Sequence, residues 1–128
     1  MKITDIRLGM LTIPLKTPFK TALRTVQQID DVVVMIETDT GHIGYGEAPA
    51  TAVITGDIHG SIIDAIKSVL KPKLIGQQIA DLNHIIRLIQ GAIMKNYSAK
   101  AAVEMAVYDL FAQLYKAPLY KILGGGVP

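Results

Sequence analysis

A chain of 128 residues, half of them hydrophobic and 19% charged, has the length and composition of one domain with a modest core. Its 13 basic and 11 acidic side chains leave a net charge of +2 and are scattered along the chain, so no basic stripe forms and nucleic acid is not expected as a partner. The absence of cysteine excludes a disulfide framework and a cysteine-rich zinc site, and it fits a reducing, cytoplasmic location. Asp5 and Arg7 interrupt the apolar residues of the N-terminus, which therefore reads as neither a signal peptide nor a membrane span.

In chain order, "KITDIRLGMLTIPLK" alternates apolar and polar residues and predicts a strand, with Pro14 marking the end of its ladder. Thr17–Asp31 then reads as a long, half-apolar loop with one arginine, Arg24. Connections of that length inside a compact domain tend to be functional or disordered. A β-branched run over 32–36, a turn at Asp39-Thr40-Gly41 and "HIGYGEA" predict a hairpin, giving three antiparallel strands.

From Asp57 the period changes to that of helices. "GSIIDAIKSVLKP" places Ile62, Ile66, Val69 and Leu70 on one face, opens with Ser61-x-x-Asp64 as a capping box and stops before Pro72. "DLNHIIRLIQGAI" puts Leu82, Ile85, Ile86, Ile89 and Ile93 inward behind Asp81 as N-cap. The strongest helix is "SAKAAVEMAVYDLFAQLYKA", capped by Ser98, with Val103, Val107, Leu110 and Leu114 on its apolar face. Strands followed by helices predict an α+β fold: a three-stranded antiparallel meander under a helical layer. A short apolar turn then runs into Gly124-Gly125-Gly126, read as the start of a linker.

Searches for chemistry give negatives first. His42, His59 and His84 have no ligand spacing, so no metal site is expected in this chain. "GHIGYG" lies on a hairpin and serves strand geometry, not a dinucleotide. Glu104 and Asp109 are five apart on a helix and face different ways, so they are no catalytic pair. Lys71-Pro72-Lys73 ends a helix, where cations complement its dipole.

The stretch "AKAAVEMAVYDLFAQLYKAPLYKILGG" is the specific signal. Ala101-Ala102, Glu104, Ala106, Tyr108-Asp109, Ala112-Gln113, Pro118-Leu119 and Leu123-Gly124 together resemble the helix that closes the N-terminal domain of the mandelate racemase and muconate lactonising enzyme family, in the enolase superfamily. "GYGEAPA" and the loop after the first strand fall in the family's order. "PFKTALRTV" and "TAVITGD" are most similar to its dipeptide epimerases, those acting on L-Ala-D/L-Glu.

The resemblance implies that residues 1–123 form an enolase-like capping domain and that 124–128 begin a linker to a (β/α)-barrel absent from this chain, since a barrel alone takes about 250 residues. In the intact enzyme the barrel would supply two lysines for 1,1-proton transfer at the carbon α to a carboxylate, and the acidic ligands of Mg²⁺, which stabilises the enolate. No catalytic residue would lie in this chain, which would be inactive alone. Its role would be substrate selection: Arg24 for a carboxylate of the dipeptide, Phe19 and Ile54, from the loop at 51–57, as apolar walls. The residues themselves leave Phe19 and Ile54 open as ordinary packing and Arg24 as a solvated charge. The expected partners are a dipeptide, the protein's own barrel and, when intact, further copies of itself. A muconate cycloisomerase or o-succinylbenzoate synthase cap is the alternative enzyme reading; a stand-alone binding module is the alternative of another class.

Overall fold

The computed structural model describes residues 1–126. Three strands, β1 (Ile3–Lys20), β2 (Thr25–Thr38) and β3 (Ile43–Pro49), form an antiparallel sheet in the order β1-β2-β3. Five α-helices follow: α1 (His59–Asp64), α2 (Lys71–Leu74), α3 (Leu82–Ala92), α4 (Tyr97–Leu114) and α5 (Leu119–Ile122). The α+β meander and helical layer are as the residue pattern predicts. Residues 127 and 128, which the linker reading includes, lie outside the described residues. Among the described residues no helix is long and apolar enough to cross a membrane.

The sheet has an inner and an outer face because its side chains alternate. The register pairs Ile6 with Ile36, Leu8 with Val34 and Met10 with Val32 on the face toward the helices, where Ile6, Val32, Val34 and Ile36 are buried. Against them pack Ile62, Ile66 and Leu70, then Ile85 and Ile89 of α3, and Val103, Val107 and Leu110 of α4. These are the apolar stripes of the three predicted helices.

The glycines of β3 do more than shape a strand. A Cβ on Gly44 would stand 2.2 Å from the Ala106 carbonyl oxygen, and one on Gly46 1.9 Å from that of Ala102. Their hydrogens let the α4 backbone lie directly on the sheet, beside the small residues Ala102 and Ala106. Helix α4 also closes the free edge of β3. The Tyr45 N–H donates to Asp109 Oδ2 at 2.9 Å and Gln113 Nε2 donates to the Ile43 carbonyl at 2.9 Å. Asp109 and Gln113 sit four apart on one helix face and are bonded to each other at 3.2 Å.

Four local expectations are corrected, the first being the capping box: α1 starts at His59, so Ser61 does not open the helix but is its third residue and accepts from the Ile58 N–H at 3.0 Å, while Asp64 accepts from Ser68. Strand β1 does not end at Pro14 but continues to Lys20, and β2 begins at Thr25, so the supposed loop is mostly a two-stranded ribbon. Pro14 is tolerated opposite Gln28 because β1 is an edge strand with no neighbour needing its missing N–H; a bulge over residues 15–18 follows before Phe19 pairs with Val26. The helix expected to stop before Pro72 runs on to Leu74 through a π-helical segment, Ala65–Leu70. There the Lys71 N–H reaches back to Ile66, and the wider turn relieves the clash of the proline ring with the preceding carbonyls. Finally, α4 starts at Tyr97 behind a left-handed Asn96, and the Ser98 hydroxyl is not its cap but donates to Asp57 Oδ2 at 2.5 Å.

Candidate functional site

The β1–β2 ribbon ends in a turn of four residues, Thr21 to Arg24. The Thr21 N–H donates to the Arg24 carbonyl at 2.8 Å. The Thr21 hydroxyl oxygen accepts from the N–H groups of Leu23 at 3.3 Å and Arg24 at 3.2 Å. One threonine thus fixes the backbone from which the Arg24 side chain departs, as hydroxyl residues do in such turns.

Arg24 is half-buried and forms no salt bridge among the described residues. It lines a cavity of about 190 Å³ at the notch where β3 leaves the sheet and β2 continues with β1 alone, together with Val26, Asp30, Asp31, Thr51 and His59. His59 Nε2 lies 2.9 Å from the Asp30 carbonyl oxygen and ties the start of α1 to the ribbon. Hydrogen bonds from Thr12 and then Gln28 hold the Asp30 carboxyl below its usual range.

The second segment, residues 51–57, is a compact turn. The Ile54 and Thr55 N–H groups both donate to the Thr51 carbonyl at 2.9 Å, and Gly56 takes the left-handed φ of +80° that closes it. Its far end is pinned by the bond from Ser98 to Asp57. Ile54 is 60% exposed and Phe19 62% exposed, so neither is part of the domain's own packing. The structure brings Arg24 and Thr51 to one cavity; Phe19 and Ile54 do not line it.

Neither the role of Thr21 nor the Asp57–Ser98 tie is read from the residues alone. A threonine opening a short turn is a signal that could have found the first; the second joins residues 41 apart and has no local signature. Among the described residues no group of three or more His, Asp or Glu side chains could hold a metal ion.

A family model described as the mandelate racemase / muconate lactonizing enzyme N-terminal domain matches residues 4–124. The chain belongs to that family. This mandelate racemase / muconate lactonizing enzyme domain is 51% identical over 125 residues to the L-Ala-D/L-Glu epimerase of Clostridium acetobutylicum, covering 98% of its own length and 35% of that protein's. It superposes with a TM-score of 0.93 on the substrate-liganded L-Ala-D/L-Glu epimerase of Bacillus subtilis, at 51% identity, covering 96% of this chain and 34% of that one. The Enterococcus faecalis dipeptide epimerase complexed with Mg and L-Leu-L-Tyr gives 0.90 at 34% identity, over 98% and 35% of the two chains. The domain thus spans about a third of the length of the relatives it matches.

Proposed function

We propose that the chain is the substrate-selecting cap of a dipeptide epimerase, with Arg24 reading a carboxylate on the substrate and Phe19 and Ile54 lending apolar walls. The observation that carries this is the Arg24 side chain: a half-buried cation, its backbone held by Thr21, without a salt bridge among the described residues and set at a notch beside the 51–57 turn. A guanidinium offers two parallel donors and so suits a carboxylate that it can hold by both oxygens. The similarity to L-Ala-D/L-Glu epimerases supports the glutamate side chain as that carboxylate. In this reading the proton-transfer groups, and any magnesium, belong to the part of the intact protein beyond this chain, while the ribbon tip and the 51–57 turn close over the substrate and exclude water.

The test uses the intact protein. Losing one partner of a desolvated charge pair costs about 2–5 kcal/mol. Arg24→Met should therefore lower kcat/KM for L-Ala-L-Glu by at least about tenfold. A dipeptide with an uncharged side chain in place of glutamate has no carboxylate to strand, so its kcat/KM should change little or rise. Equal losses on both substrates would make Arg24 an organiser of the turn, and no loss on either would end the reading.

A further inference from the structure

The outer face of the sheet, turned away from the helices, carries two carboxyls on adjacent strands. Asp31 of β2 lies opposite Pro49 and Val33 lies opposite Glu47, so Asp31 and Glu47 are diagonal neighbours on one face. Asp31 Oδ1 is buried and receives no hydrogen bond among the described residues. A buried carboxylate oxygen without a donor is costly, and native structures seldom leave one.

Among the described residues no salt bridge offsets the pair. On β1 the residues opposite Asp31 and Val33 are Leu11 and Gly9. Arg7, further along the same face, is paired with Glu37, and Asp5 with Lys71. Arg24 and His59 share the notch with Asp31, but neither is in a salt bridge, and the His59 ring meets the Asp30 carbonyl. Asp30 itself points to the other face, where Thr12 and Gln28 engage it. Glu47, the diagonal carboxyl on β3, can donate to Asp31 once it is protonated.

We propose that Asp31 and Glu47 are a positioning pair in which one shared proton clamps β3 to β2 at the junction where the ribbon carrying Arg24 and the turn carrying Ile54 diverge. The pairing of β2 with β3 ends at Asp31 and Pro49, so a clamp there sets the root of both segments. Like charges on diagonal neighbours of one sheet face repel, whereas one shared proton turns that repulsion into a hydrogen bond. Glu47 is exposed on the outer face, yet partial desolvation of its carboxyl, then hydrogen bonding to Asp31 and the charge of Asp31, raise it above the ordinary 4.5. A raised acid favours the fold in its protonated form. Its contribution is complete below 4.5 and is lost as the pH climbs through the raised value. The clamp therefore loosens toward alkaline pH, whatever Arg24 binds.

Carbon-detected NMR titration of the Glu47 carboxyl in the 128-residue chain tests this without any activity assay. The midpoint should lie above 4.5 and fall in Asp31→Asn. Hydrogen-exchange protection of the amides around Asp31, Val33 and Glu47, corrected for intrinsic rates, should drop by at least about tenfold between about pH 4 and about pH 8. In Glu47→Gln, whose amide is a permanent donor, that drop should vanish. A Glu47 midpoint at or below 4.5, a midpoint unmoved by Asp31→Asn, or an equal loss of protection in Glu47→Gln would each overturn the proposal. Should a variant not fold, the wild-type midpoint alone decides.

Discussion

At Gly46 a single hydrogen atom decides whether helix and sheet can meet. A methyl group there would lie 1.9 Å from the Ala102 carbonyl oxygen, which is main chain and has no rotamer to escape into. Gly46→Ala should therefore destabilise the domain by about 1–3 kcal/mol, in the range of an overpacked core. Urea unfolding measures it as a lower midpoint. Gly41→Ala is the contrasting control, because nothing lies within 4 Å of a Cβ there and only the left-handed φ of +79° opposes it. The alternation of glycines in "GHIGYG" is visible in sequence, but the reason is not: Gly46 and Ala102 are joined only by the tertiary fold. The family signature is legible in the same partial way. Tyr108-Asp109 and Ala112-Gln113 stand out as a pattern, while the Asp109 and Gln113 bonds that close the β3 edge become readable only once the hairpin is beside the helix.

Among the elements, apolar periodicity was the dependable guide. Val103, Val107 and Leu110, spaced for one helix face, are all buried, as are Ile85 and Ile89. Proline was the misleading one. Pro14 and Pro72 both mark breaks in a local reading, yet one sits on an outer strand with nothing to donate to, and the other follows a widened helical turn. Neither circumstance is local. The site was readable to a similar depth: Arg24 stands out as the one arginine of its segment, but the notch around it depends on β3 ending at Pro49 while β2 runs on with β1 alone. That ribbon lacks a third strand, and two-stranded hairpins are marginal in water. Its amides from Thr12 to Ile29 should exchange at least about a hundredfold faster than those of Val34 and Ile36, which lie in the centre of the sheet over the core. Residue-resolved hydrogen exchange checks this, and equal protection along β2 would show that the ribbon is stable by itself.

For the whole molecule, one group of exposed apolar side chains lies in the ribbon and the 51–57 turn, while others, Met94, Tyr97 and Leu123 among them, are spread over the helical side. Leu11, Ile13, Phe19, Leu23, Val53 and Ile54 are all exposed. Patches of that kind mark interaction surfaces. The 128-residue chain should self-associate with rising concentration or bind a hydrophobic dye, and sedimentation would measure the first. A monomer over a wide concentration range without dye binding would speak for a self-sufficient module. The chain's start is also held by its middle: the Ile3 N–H donates to the Gln77 carbonyl at 3.0 Å and the Ile79 N–H to that of Met1 at 2.9 Å. On a ribosome, these partners emerge in the wrong order. Strand β1 leaves first but cannot be anchored until residue 79 has followed, and the inner face of the sheet waits longer still for α4. At about 5–20 residues per second, the roughly 60 residues between β3 and the middle of α4 take about 3–12 s to arrive. For those seconds Val34 and Ile36 are bare on a nascent meander, so chaperone demand during translation should fall chiefly on the interval before α4 clears the exit tunnel.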